Sequence, residues 1–328
     1  MRERALKEHD ETKSVDVQNA TKRGTILQQE ANVRCFIHLH KIHTMNQSMD
    51  NNRVSSITDT TLLLEPDHGP VLLQSRVWHS DGPPHAFTTR RTTMSDLDQP
   101  NMVAHAGSDP DHVARSQHAV RSSPVLPDAP IVRAEQVHGA RVTRVSSTEV
   151  PSDNRNDVMV MDDADGVITQ SDDLILMAHS ADCPIVFLYA GEAVGLLHAS
   201  WKGIAGGIPR NGVQKMDEAF DADPADMEAF ISPSIRVCCY EVQSDFREEM
   251  RSRAPLTCPC FHTRDGSQYF DLQEAITRQL QDAGIRADRI TDSGLCSQCR
   301  PDLLYSYRRN GVTTGRTAGL IATAGARS

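Results

Sequence analysis

Leu174-Ile-Leu-Met-Ala-His-Ser-Ala-Asp-Cys-Pro-Ile-Val-Phe-Leu-Tyr-Ala-Gly-Glu-Ala-Val-Gly-Leu-Leu-His-Ala-Ser-Trp-Lys-Gly203 carries the reading of the fold. Three apolar runs stand in it, residues 174–179, 184–189 and 194–199. Each is the length of a strand and short for a helix. Continuous apolarity, in place of alternation, marks strands buried on both faces. Ser180-Ala-Asp-Cys183 breaks the first run from the second, with Pro184 behind it. Polar residues at strand ends or in strand breaks are where α/β sheets build sites.

Outward from this stretch, residues 71–78, 85–90 and 315–321 read as further strands, and residues 131–138 as a strand that ends before a turn at Gly139. Asp109 and Pro110 have the order of an N-cap and first helical residue. Val213, Met216 and Phe220 share one face of a helix over residues 209–220. Asp271 caps a second, in which Leu272, Ala275, Ile276, Gln279 and Leu280 keep helical spacing up to Gly284. Strands and helices are interspersed. The expectation is an α/β fold, a single domain with mixed sheets covered by helices. Residues 1–61 are polar and aperiodic and read as a disordered extension; residues 62–328 read as the folded domain.

Composition limits the function. Of 328 residues, 44 are acidic and 34 basic, a formal charge of −10. That balance argues against nucleic acid and anionic membrane as partners, since both need a positive surface. No run reaches the roughly 18–20 apolar residues of a membrane span. The N-terminus has neither a secretory nor a transit signature, so a cytoplasmic protein is expected. Clustered cysteines among the eight then favour metal or catalysis over disulfides.

His138, Cys183 and His198 stand out by chemistry and placement together. Two imidazoles and a thiolate are a plausible zinc set, and three protein ligands leave a fourth position open, as catalytic sites do. Spacing alone leaves two other readings open: buried histidines bonded within the core, or Cys183 as a nucleophile with His138 or His198 as its base. Cys258, Cys260, Cys296 and Cys299 could close a second metal site or form a redox pair. Cys238 and Cys239, read at a strand end, would face opposite ways and be structural.

The segments Glu135-Gln-Val-His-Gly139, Ala164-Asp-Gly-Val-Ile168, Ser180-Ala-Asp-Cys-Pro184 and Leu197-His-Ala-Ser-Trp-Lys-Gly203 occur in that order. Cys238-Cys-Tyr-Glu-Val242, Phe270-Asp-Leu272, Tyr305-Ser-Tyr-Arg-Arg309 and Thr314-Gly-Arg316 follow. Together they resemble the laccase-domain family, formerly described as multicopper polyphenol oxidases and now regarded as purine nucleoside phosphorylases. The resemblance runs from about residue 69 to 325. It implies an α/β/β/α sandwich and zinc on His138, Cys183 and His198. It also implies phosphorolysis of adenosine, inosine, guanosine and methylthioadenosine, with deamination of adenosine. Purine nucleosides and phosphate would be the partners. A copper-using phenol oxidase and an inactive binding protein are the competing expectations.

Lys202, Arg308, Arg309 and Arg316 are candidate cations for phosphate. Asp182 is a candidate for orienting a ligand, and Trp201 for stacking on the base. The sequence departs from the family pattern where Ser200 and Arg236 replace glycines and Lys202 replaces an arginine, which raises the expectation of crowding and of a weaker phosphate grip.

Overall fold

The computed structural model describes residues 47–49, 52–104, 108–150 and 158–327. The expectation for residues 1–46 lies outside them. Nine strands form one sheet. In spatial order they are β1 (Gln47–Met49), β2 (Asn52–Ser56), β3 (Thr61–Pro66), β4 (Pro70–Ser75), β5 (His85–Thr92), β18 (Thr317–Ala322), β10 (Ile175–Ser180), β6 (Ile131–Glu135) and β8 (Val158–Asp163). Pairing is antiparallel from β1 to β10 and parallel from β10 through β6 to β8. A six-stranded sheet has the order β17 (Ile290–Asp292), β13 (Glu228–Ile231), β11 (Ile185–Ala190), β12 (Ala193–His198), β9 (Gly166–Thr169) and β7 (Val142–Arg144). A small sheet joins β14 (Glu241–Val242), β16 (Ser267–Phe270) and β15 (Phe261–Arg264).

The two large sheets face one another, and the period of two explains why their strands are apolar throughout. On β10, Leu176 and Ala178 enter the core between the sheets, while Ile175 and Met177 join the opposite cluster. On β11, Ile185 and Phe187 point inward and Val186 and Leu188 outward. On β12, Val194 and Leu196 point inward and Ala193 and Leu197 outward.

The outer clusters are closed largely by helices. Val120 of α1 (Pro110–Arg121) covers the nine-stranded sheet. Short α2 (Trp201–Ala205), α3 (Ile208–Phe220), α4 (Ser244–Arg253) and α5 (Leu272–Asp282) pack in the cluster on the six-stranded sheet. This is the sandwich of two sheets between helical layers that the sequence led us to expect.

The caps hold as read. Asp109 accepts from the Asp111 amide at 3.0 Å, and Asp271 from the Glu274 amide at 2.9 Å. Some boundaries differ. β6 stops at Glu135, so His138 lies in a loop rather than on the strand. Residues 76–78 turn after β4, and Trp78 is buried in that turn. The nine-stranded sheet begins inside the stretch read as an extension, because β2 pairs with β3 from Asn52↔Pro66 to Ser56↔Leu62. A last short helix, α6 (Tyr307–Asn310), is capped by Ser306.

Candidate metal centre and its cleft

Three segments from different parts of the chain meet at one end of the sandwich. The loop after β6 brings His138, the break between β10 and β11 brings Cys183, and the end of β12 brings His198. One ligand atom from each lies within 4.8 Å of the other two. A tetrahedral zinc with bonds of about 2.0–2.3 Å spaces its ligands roughly 3.3–3.8 Å apart. Small side-chain rotations therefore bring this set onto one cation. The two imidazoles stand edge to face, with ring centroids 5.0 Å apart.

Asp165, at the turn between β8 and β9, organises the centre. Its carboxylate accepts from the amides of Val137 (3.2 Å), His138 (3.0 Å) and Gly139 (2.6 Å). It also lies 2.7 Å from His198 Nδ1. A proton on Nδ1 satisfies that contact and leaves Nε2 as the electron-pair donor, the usual carboxylate–histidine support of a metal site. The donor set therefore fits a borderline-soft cation such as zinc.

Burial opposes charge on Asp165, yet the His198 contact and the Gly139 amide hold its carboxyl below the usual range. Burial likewise opposes charge on His198, but Asp165 and Cys183 beside it raise it to about 9. At Cys183, burial favours the neutral thiol; hydrogen bonds from His138 and His198 outweigh this and hold it at about 7. The cluster is thus poised to carry a thiolate, the form that binds metal.

The backbone is strained at this centre. His138 has φ 60 and Asp182 has φ 90, both in the region that favours glycine. Each is held by surrounding bonds, His138 through its amide to Asp165 and Asp182 through its side chain. Asp182 accepts from Ser297 Oγ at 2.5 Å, Ser306 Oγ at 3.1 Å and the Arg308 amide at 2.6 Å. It pins two loops beside Cys183 and touches none of the three candidate ligands in these contacts.

A cleft of ≈ 530 Å³ opens over the centre. His138, Cys183, His198, Arg308 and Arg316 all line it, with Trp201, Tyr240, Tyr307 and His179. Lys202 and Arg309 are not among its lining residues. Lys202 is exposed, its ammonium 5.6 Å from the Trp201 ring centroid. The Arg309 guanidinium is taken by the carbonyls of Ser297, Gln298 and Leu304 and by Asn310 Oδ1. Trp201 both lines the cleft and packs on Phe246, centroids 5.1 Å apart.

Neither residue that replaces a glycine lines the cleft, although each adjoins one that does. Ser200 caps α2, its Oγ accepting from the Gly203 amide at 3.1 Å. Arg236 forms a two-pronged pair with Asp292 at 2.7 and 2.8 Å.

Asp165, His179, Tyr240 and Tyr307 were not singled out from sequence. Asp165 had a signal: it is the sole charged residue of Ala164-Asp-Gly-Val-Ile168, a buried strand start. His179 is pushed down to about 3, first by burial and then by surrounding cationic groups, so its ring is neutral in the cleft wall.

Comparison with known proteins agrees with this architecture. Residues 84–324 match the family described as multi-copper polyphenol oxidoreductase laccase. Purine nucleoside phosphorylase YlmD of Geobacillus stearothermophilus is 32% identical over 225 residues, 67% of this chain and 82% of that protein. Purine nucleoside phosphorylase YfiH of Escherichia coli is 26% identical over 231 residues, 70% of this chain and 88% of that protein. The crystal structure of a Bacillus licheniformis hypothetical protein YfiH superposes with a TM-score of 0.68 at 29% identity, over 77% of this chain and 97% of that one. The Geobacillus stearothermophilus YlmD structure gives 0.67 at 26% identity, over 85% and 99%. Matched along most of its length in both sequence and fold, the chain belongs to the laccase-domain family that holds the YlmD and YfiH proteins.

Proposed function

We propose that this protein is a zinc-dependent purine nucleoside phosphorylase that also deaminates adenosine, working in the cleft over His138, Cys183 and His198. The observation that carries the reading is the convergence of two imidazoles and one thiol under a cleft that also holds cations and aromatic faces. The names of the YlmD and YfiH relatives supply the substrate class. His138, Cys183 and His198 would hold the zinc. When bound, zinc supplies a Lewis acid and a source of hydroxide near neutral pH.

The remaining roles belong to the chain itself. Asp165 fixes the His198 ring and the His138 loop. Trp201, Tyr240 and Tyr307 are aromatic side chains of the cleft lining, and a purine would stack against them. Arg308 and Arg316 line the cleft; each has one guanidinium nitrogen on backbone carbonyls, of Glu241 and of Thr314 and Gly315, and the rest of each fork suits a phosphate nucleophile. In phosphorolysis a phosphate oxygen bonds the anomeric carbon as the purine leaves with the glycosidic electron pair. Positive charge develops on the sugar, and a bound phosphate dianion stabilises it.

Copper is the rival metal, and thiolate and imidazole both accept it. Yet among the described residues the two side-chain clusters able to hold a metal contain only two histidines between them. A multicopper centre calls for many more, so the donor set favours zinc.

The test is direct. Protein purified without added copper is incubated with adenosine, inosine, guanosine or methylthioadenosine, with and without phosphate. Free base that requires phosphate, and inosine formed from adenosine without it, are the expected products. Cys183→Ala should abolish both activities with the fold retained, because its loss leaves two imidazoles. No product from any nucleoside, with phenol oxidation instead, would replace the proposal with the oxidase reading. Loss of only one activity in Cys183→Ala would mean that the two reactions do not share the centre.

A further inference from the structure

Cys238, Cys239, Cys296 and Cys299 come together outside the cleft, with one sulfur from each within 4.8 Å of the other three. Cys299 Sγ lies 3.8 Å from Cys238 Sγ and 3.4 Å from Cys239 Sγ. These are spacings of unbonded sulfurs. Four thiolates bonded to one tetrahedral zinc at about 2.3 Å stand about 3.8 Å apart. Cys258 and Cys260, which the sequence had offered as partners of Cys296 and Cys299, are not in the cluster. Cys238 and Cys239 do not face opposite ways, because they lie in a turn over residues 237–239 rather than on a strand. A turn places neighbouring side chains on one side, where both reach Cys299.

The backbone explains the convergence. β13 and β17 pair in parallel, from Ala229↔Ile290 to Ile231↔Asp292. Their chains leave the sheet together and form one more parallel bridge, Ser234↔Cys296. One chain then turns at residues 237–239 and presents Cys238 and Cys239; the other carries Cys296 in the bridge itself and turns at residues 297–299 to present Cys299. The surroundings are cationic. Arg264 donates to the Cys238 carbonyl at 3.0 Å, and Arg309 donates to the carbonyls of Ser297 and Gln298, between the other two cysteines. A zinc with four thiolates carries a net charge of −2, which nearby guanidinium groups offset.

We propose that Cys238, Cys239, Cys296 and Cys299 form a second, structural zinc site that clamps these two loops to each other. One loop leads into the cleft lining and the other braces a residue of it. Tyr240 follows Cys239 and lines it. Ser297 follows Cys296 and donates to Asp182, the neighbour of Cys183. The clamp therefore holds the wall of the catalytic cleft in place without touching substrate.

The proposal is tested on full-length protein purified in reductant without chelator. Elemental analysis should find about two zinc per chain. Cys183→Ala should remove one, and Cys299→Ser should remove the other. This separates failure of the clamp from failure of the catalytic zinc reading. In case Cys299→Ser does not fold, the wild-type protein is also mapped by alkylation and mass spectrometry. Cys238, Cys239, Cys296 and Cys299 should resist modification until zinc is chelated, then react together. Zinc content unchanged by Cys299→Ser, alkylation of the four without chelator, a mapped disulfide among them, or iron in place of zinc would each overturn the assignment.

Discussion

Asp165 is where single atoms decide the most. Its two carboxylate oxygens serve three backbone amides and one imidazole, tying the His138 loop to the His198 strand end. Asp165→Asn keeps the shape but turns an amide NH₂ toward donors that need an acceptor. Metal retention should weaken roughly 10–100-fold, the usual cost of losing such a support. Chelator competition measures it, and an unchanged affinity would remove Asp165 from the centre. The arginines divide at the same scale. Arg308 and Arg316 line the cleft, whereas the Arg309 guanidinium holds four acceptors, two of them in the turn after Cys296, and Lys202 lies outside. Arg316→Ala should raise the KM for phosphate about tenfold or more, as loss of a charged hydrogen bond of roughly 1.5–3 kcal/mol implies. Lys202→Ala should leave that KM in place, and Arg309→Ala should lower the melting temperature instead. Steady-state kinetics at varied phosphate, with a melting curve for each variant, distinguish these. A phosphate KM that follows Lys202 would move the anion site to α2.

At the scale of elements, the site depends on how closely α2 approaches the loop after β6. A Cβ built on Gly203 meets the Gly139 carbonyl oxygen at 2.7 Å, a backbone atom that cannot swing aside. Gly203→Ala should therefore push the His138 loop off α2, costing about 1–3 kcal/mol of stability. Metal affinity should fall with it. A variant as stable as the parent, with its metal retained, would show that the loop adjusts freely. The sequence was most informative where the chemistry is local. Asp109 and Asp271 announced their helices because an N-cap is a contact within a few residues. The same logic failed at Cys238 and Cys239. Their placement follows from a parallel bridge to Cys296, far along the chain, and no local spacing encodes it. His138 was read at a strand end because Val137 extends the apolar pattern. In the structure Val137 is exposed, and the chain turns at His138 because Asp165 collects the amides around it.

Across the whole molecule, the two sheets set the frame and the strand ends supply the chemistry. Phe187 lies fully buried between the sheets, its ring 5.6 Å from Phe230 and 6.3 Å from His85. None of the three residues lines the cleft. The apolar runs at 184–189 and 194–199 were legible as doubly buried strands because every residue of such a strand faces one core or the other. The cleft was less legible, since Tyr240 reaches it from the segment after the turn at 237–239 and Tyr307 from the first residue of a short helix whose Arg308 amide is held by distant Asp182. This division of labour separates stability from catalysis. Phe187→Ala leaves a cavity between the sheets and should cost about 3–5 kcal/mol. Activity should fall only in proportion to the folded fraction, with the KM for nucleoside and phosphate unchanged. Denaturant unfolding gives the first quantity and kinetics on the soluble fraction the second. A shifted KM in the folded enzyme would mean that the inter-sheet packing also sets the positions of β11 and β12 ends, and with them the spacing of Cys183 and His198.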